Sequence, residues 1–563
     1  MQTRHVLSDL GQSFLVALCV FVICIIVFPP YYGIIDDIHM TMIVSGTSVC
    51  PQPDCHILFP NILTGKLLSW LYTKENRFPW YGTALYLSNL FSFTLILAVF
   101  KWERASKVRN CLLFAFTLVS LLAVCTHLTF TSTAIFLAAS ASLALISVFE
   151  NERLTQSGRY TVMAVSLVSI VVAALIRADS AKLIIGMFAV LITCRFALTG
   201  ASKKLAAGLA LSVLLFGIVQ SIDFADQSYY ESKPGWSSFP RYNNVINKIC
   251  DFKRLSYTPR TKNLFTGVGW NENDLNLFSA YEFGIDPVLF SCEKAERLLS
   301  CFPNYRSDLS LPMLAANLHK YVCNRIALPS LLLAIVSGFI VSGRLSQARH
   351  LLLVLATLTI TTALLCLMKL ENQITLPLFA WLALCSVYYG NDRQIADWLA
   401  GTRKNSPAKL SILFALTAAT LLGASLNYRQ LCLEAMQGRE QLKLSLSALR
   451  SLNGSLYIIP SMVPLKLISP FENPRTYFSS MRILIPCFTS TPLINYSVSA
   501  EVQKSTRLPL LEPGVFWCTT DSPHRFVDYF KDHHGLRVEF EQCFANKQLC
   551  AYRAVPIRPQ DSN

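Results

Sequence analysis

The sequence predicts an all-α polytopic membrane domain of about eleven transmembrane helices followed by a C-terminal α/β domain. Three observations point to it. The 563 residues are 53% hydrophobic and 15% charged, whereas a soluble domain carries roughly a quarter charged residues. Apolar runs of about 18 residues, the length that crosses roughly 30 Å of hydrocarbon, recur along most of the chain. Beyond residue 426 the pattern changes to short apolar runs alternating with an amphipathic stretch.

The apolar runs lie near 11–30, 82–100, 111–126, 134–149, 161–176, 183–199, 205–222, 326–343, 350–368, 374–390 and 409–426. The first reads as a retained anchor. Its n-region offers only Arg4 and His5 as basic residues, its apolar part exceeds the usual signal-peptide core, and PPYYG is a poor small-residue cleavage site. With the N-terminus cytoplasmic, the short loops on that side carry fifteen Lys and Arg, and the short loops opposite carry three. That bias sets the orientation. It puts three long polar segments outside: a first loop (31–80), a central insertion (223–325) and the tail (427–563).

The insertion is too long for a simple connector and is expected to hold short helices. In the tail, GREQLKLSLSALRSL reads as a helix and SLYIIP as a buried strand, while GVFWCTT, SPHRFVDYFKDHHG and LRVEFEQC read as strand, helix, strand. The domain limits are therefore 1–426 for the membrane domain and 427–563 for the α/β domain.

The formal charge of +15 does not imply nucleic acid, because the basic residues are scattered among short loops and form no stripe. Eighteen cysteines are compatible with an oxidising exterior for those outside the spans. Cys50 with Cys55, and Cys292 with Cys301, are close enough in sequence to close small loops. No cofactor is fixed by the sequence, although His39 and His56 beside the first cysteine pair leave room for a divalent cation. There is no Walker lysine loop, no GxSxG elbow, no HExxH and no dinucleotide fingerprint.

The stretch YYGIIDDIHM (31–40) sets two adjacent carboxylates, Asp36 and Asp37, directly after the anchor. Taken alone they are a solvated helix end. Their surroundings argue for more: MIVSGTSVCPQPDCHILFPNILTGKLLSWLY continues as an amphipathic piece lying on the membrane and ends in an aromatic belt at PWY. Arg177 and Lys182 in LIRADSAKL sit at an external helix end near membrane depth. Each alone is a residue that snorkels to the headgroups.

One anchor, an acidic first loop with an amphipathic stretch, a long series of helices and an external C-terminal domain resemble the GT-C superfamily of integral membrane glycosyltransferases. Protein O-mannosyltransferases, the aminoarabinose transferases of lipid A and the O-antigen glucosyltransferases are examples. IIDDIHMTMIVSG, PDCHILFPNILTGKLLSWLY and GWNENDLNLF resemble a set of bacterial polytopic proteins more closely. The resemblance covers most of the chain, but only the acidic loop is a functional motif. No WWDYG-type signature is present.

The resemblance implies an inverting transfer from a polyprenyl-phosphate-linked sugar donor to an envelope glycan or lipid acceptor, on the outer side of a bacterial cytoplasmic membrane. Such a transfer needs a base for the acceptor hydroxyl and cations for the departing phosphate. Asp36 or Asp37 is the base, and its neighbour orients or binds substrate. Arg177 and Lys182 are the phosphate candidates, with Arg241 and Glu371 as weaker substrate contacts. His39 lies within sequence reach of the same pocket. Asp274 in GWNENDL either binds sugar hydroxyls or caps a helix. Competing readings are a transporter or lipid-linked glycan flippase, an envelope polysaccharide polymerase or ligase, and a receptor without chemistry. A flippase calls for internal repeats and charges within the spans.

Overall fold

The computed structural model describes residues 3–103, 118–196, 201–253, 255–302, 406–460, 463–478, 480–487, 509–520 and 522–557, together with isolated helical positions between 351 and 388. Five helices among them are long and apolar enough to cross a membrane. They are α1 (Thr3–Val27, crossing portion Val6–Val27), α4 (Trp80–Trp102), α5 (Phe130–Glu150), α6 (Gln156–Phe196) and α7 (Ser202–Glu231). Their composition identifies a membrane protein. The expected runs 326–343, 350–368 and 374–390 fall wholly or mostly outside the described residues, as does the start of 111–126.

The helices differ in how much of their surface the protein covers, and sequence explains the difference. Helix α5 is rich in Ala, Ser and Thr, so neighbours approach its backbone closely, and it is buried almost throughout. Helices α1 and α7 instead expose large apolar side chains such as Ile23, Ile26, Val213 and Leu214, the behaviour of helices facing lipid. Helix α6 joins two expected spans, 161–176 and 183–199. Its 41 residues come to about 60 Å at 1.5 Å per residue, twice the hydrocarbon thickness. The chain breaks it at one residue, Arg177, whose φ of −160° and ψ of 105° are extended. The carbonyl freed just before the break, Leu175 O, accepts the Asn61 N–H at 2.9 Å and the Thr64 hydroxyl at 3.0 Å. The exposed turn expected over 177–182 is thereby reduced to a single residue.

The first polar loop folds into three pieces. Strand β1 (Tyr31–Tyr32) pairs in parallel with β2 (His127–Leu128). Helix α2 (Ile35–Ser45) is buried from Asp37 to Ser45, so it does not lie on a membrane surface. Helix α3 (Ile62–Lys74) does expose an apolar face. Gly65 lets the chain press on α3, because a Cβ there would sit 1.8 Å from the Cys55 carbonyl oxygen. The insertion carries short helices, among them α8 (Phe239–Asn247), α9 (Glu272–Ser279) and α10 (Cys292–Ser300).

Helix α11 (Ser406–Ser451) runs without interruption across the expected boundary at residue 426. It leads into a five-stranded sheet of order β4-β3-β5-β7-β6, formed by β3 (Leu456–Ile458), β4 (Ile483–Leu484), β5 (Val515–Thr519), β6 (Val538–Ala545) and β7 (Cys550–Pro556). The first three pair in parallel and are buried at every position, while β5/β7 and β6/β7 are antiparallel. That agrees with the continuous apolar runs LYI and VFWCT, since parallel strands are covered on both faces. Helix α12 (His524–His534) connects β5 to β6, as the strand, helix, strand pattern of the sequence predicts.

The cysteine pairs expected to close loops are free thiols. Cys292 and Cys301 bracket α10, nine residues or about 13 Å apart along a helix, too far for a disulfide. Cys50 is buried with its thiol on the Ile43 carbonyl at 3.2 Å.

Candidate active site

Three elements meet at Asp37. The carboxylate lies in the first turn of α2, where the dipole favours an anion, and it is completely buried. One oxygen, Oδ1, accepts the Tyr81 hydroxyl at 2.8 Å from the start of α4 and the Phe130 N–H at 3.1 Å from the start of α5. The other, Oδ2, has no hydrogen-bond partner among the described residues. Burial drives the Asp37 carboxyl well above the usual carboxylate range. The Tyr81 hydroxyl opposes that rise, the neighbouring Asp36 charge adds to it, and the Phe130 N–H and the Arg177 charge oppose it.

Asp36 is half-buried and acts electrostatically on both Tyr81 and Cys487 of the tail. Arg177, half-buried at the break in α6, lays its guanidinium over the Phe130 ring at 5.0 Å and the Phe59 ring at 5.9 Å. A cation thus stands beside the acidic turn at a helix end.

The tail packs against the elements around this turn. Arg475 donates to Ser45 O at 2.9 Å, satisfying a carbonyl at the C-terminus of α2. Ser48 donates to Phe478 O at 2.7 Å, and Ile483 N donates back to Ser48 O at 3.2 Å. Arg439, on α11, donates to Leu467 O at 2.7 Å and to Pro30 O at 2.6 Å, just before β1. At Gly82, in the first turn of α4, a Cβ would stand 2.1 Å from the Pro470 carbonyl oxygen.

Of the residues singled out in the sequence, Asp36, Asp37 and Arg177 come together. The others do not join them. Lys182 is held by Asp223 at 2.5 Å, with Asp179 at 3.9 Å, so its charge is already neutralised. Arg241 is a largely exposed residue ion-paired with Glu296, its Nε 2.6 Å from Oε1. His39 is two residues beyond Asp37, which turns it about 200° around α2 to the far face. Burial holds its imidazole neutral, pushed down to about 3. Asp274 completes a capping box with Asn271 at the start of α9. Glu371 lies outside the described residues.

Sequence reading missed Tyr81 and the Phe130 N–H as partners of the acidic turn. Tyr81 belongs to the PWY stretch read as an interfacial belt, and a backbone donor leaves no trace in composition.

Among the described residues, the group whose donor atoms could hold a metal is Asp54, Cys55 and His56, all within 4.8 Å of one another. Within the cluster His56 is held by an ion pair and a ring stack, while its Nε2 is buried with no partner among the described residues. His56 Nδ1 is 2.6 Å from Asp54 Oδ1, and its ring stacks on Trp236 at 4.4 Å. Burial alone would lower the His56 pKa, but the Asp54 and Cys55 hydrogen bonds outweigh it and raise it to about 9, so the pair is an ion pair.

Comparison with known protein families, curated proteins and solved structures finds no match to this chain.

Proposed function

We propose that the chain is a membrane glycosyltransferase that moves a sugar from a polyprenyl-phosphate donor to an envelope glycan or lipid. The observation that carries this reading is the meeting of the acidic turn with Arg177 at the ends of membrane helices, beneath a folded tail. A lipid phosphate at a bilayer boundary needs a cation at that depth, and Arg177 can grip it with two hydrogen bonds. Lys182 is already ion-paired with Asp223.

The two carboxylates divide the labour. Asp36, the more accessible of the pair, takes the proton from the acceptor hydroxyl as the sugar leaves its phosphate. Asp37 holds the turn against α4 and α5, and burial pushes its carboxyl well above the usual carboxylate range, which disfavours it as the base. Asp37 is thus a positioning residue. The tail over the site supplies a wall that excludes water and a surface for the acceptor.

The test is mass spectrometry of envelope lipids and glycans from cells with and without the chain. Loss of one sugar residue from a defined glycan supports the reading. An unchanged glycan profile together with altered movement of a lipid-linked precursor across the membrane would favour a flippase.

A further inference from the structure

We infer that α3 is an in-plane anchor and that Lys66 and Lys233, on either side of the Tyr229 ring in sequence, seat the headgroup of an anionic phospholipid. This inference stands apart from the transferase reading.

The depth of α3 is fixed by what its first turn holds. Asn61, its N-cap residue, accepts from Leu63 N–H at 3.0 Å, donates its own N–H to Leu175 O, and donates its side-chain amide to Ile222 O at 3.3 Å. Ile62 N donates to Asp226 Oδ1 at 2.7 Å. Leu175 lies two residues before the break in α6, and Ile222 is the last residue of the apolar run of α7 before Asp223. Helix α7 is 30 residues, about 45 Å, so its polar end must leave a hydrocarbon layer of roughly 30 Å. Both contacts therefore put the start of α3 at the hydrocarbon edge.

From there α3 turns one face inward, burying Ile62, Gly65, Leu68 and Tyr72. It turns Leu63, Leu67 and Trp70 outward, each more than half exposed. Their spacing of four and three residues makes one stripe, and a tryptophan at its end suits the membrane–water boundary. The helix terminus at Asn61 binds protein groups, so it is not the seat itself.

The seat is beside that stripe. Lys66 Nζ lies 4.6 Å and Lys233 Nζ 5.2 Å from the centre of the Tyr229 ring, which puts the two ammonium groups no more than about 10 Å apart. Neither has a carboxylate partner among the described residues. Two like charges on one ring repel, and a phosphodiester within reach of both relieves the repulsion while its acyl chains lie along Leu63 and Leu67. A bilayer provides that anion at this depth.

The experiment uses the full-length chain in detergent, titrated with phosphatidylglycerol or phosphatidylcholine and read by native mass spectrometry. Phosphatidylglycerol is expected to be retained in preference to phosphatidylcholine. The double variant Lys66→Gln/Lys233→Gln should weaken phosphatidylglycerol binding about thirtyfold, roughly fivefold per lysine, with its melting temperature unchanged. Phosphatidylcholine binding should not respond. Equal retention of the two lipids by the wild type, or an unaltered preference in the double variant, overturns the proposal. So does displacement of phosphatidylglycerol by equimolar undecaprenyl phosphate, which would assign the seat to a carrier lipid.

Discussion

Asp37 and Asp274 are both buried carboxylates at the starts of helices, each adjoining the tail's territory, yet their hydrogen bonding is opposite. Asp274 is saturated. His533 Nε2 lies 2.8 and 3.0 Å from its two oxygens, and the Asn271 N–H donates to Oδ2 at 2.7 Å. It belongs to a seam between α9 and α12 that includes Asn271 with Asp532, Asn273 with Arg525 O, Glu282 with Arg525, and Asp286 with Tyr529. Asp37 has one oxygen doubly satisfied and the other open, with a second carboxylate and an arginine nearby. A carboxylate whose oxygens all accept hydrogen bonds fastens two parts of a fold. The turn of Asp36 and Asp37, with an open oxygen in a dry setting beside a second carboxylate and an arginine, is where chemistry is worth seeking.

The sharpest way to break this contrast is to neutralise each site in turn. Asp36→Asn should lower transfer by about a hundredfold to ten-thousandfold, the usual worth of a general base, while the protein inserts and melts normally. A label-transfer assay on purified membranes measures it.

The seam answers to pH instead. Burial raises the Glu282 carboxyl from 4.5 to about 7, against the pull of Arg525. The folded chain therefore binds this proton more tightly than the unfolded one. That stability is fully present below pH 4.5 and is lost as pH rises through about 7, worth up to about 3 kcal/mol over the window. Unfolding midpoints across pH 4–8 should show the slope, and Glu282→Gln should remove it.

Asp274→Ala strips a partner from His533 and from the cap of α9. It should cost about 2 kcal/mol of stability, seen in chemical denaturation, with transfer per folded molecule unaltered. A similar effect is expected at the contact between tail and bundle. Gly82→Ala sets a methyl 2.1 Å from the backbone carbonyl oxygen of Pro470, so the chain there must shift, at a cost of about 2 kcal/mol, detected as faster proteolysis of the tail.

Much of the scaffold was legible because long apolar runs, short continuous apolar strands and amphipathic stretches are strong local signals. The runs near 82–100, 134–149 and 205–222 became α4, α5 and α7, and VFWCT, HRFVDYFKDHH and VEFEQC became β5, α12 and β6. The pairing of β1 with β2 was not legible, since two-residue strands carry no period. Nor was the burial of α2, whose cover comes from Arg475 and, through Ser48, from Phe478, both more than four hundred residues away. In the site, Asp37 and Arg177 stood out by charge at a membrane boundary. Lys182 stood out by the same signal, and only the fold gives it Asp223 as a partner.

The central claim is that the acidic turn performs the chemistry. The most direct measurement is complementation of cells lacking the chain with Asp36→Asn/Asp37→Asn, confirmed to be present in the membrane at wild-type level, followed by mass analysis of the envelope glycan. The expected result is a glycan still short of one sugar. Full restoration of that sugar by the double variant would contradict the claim.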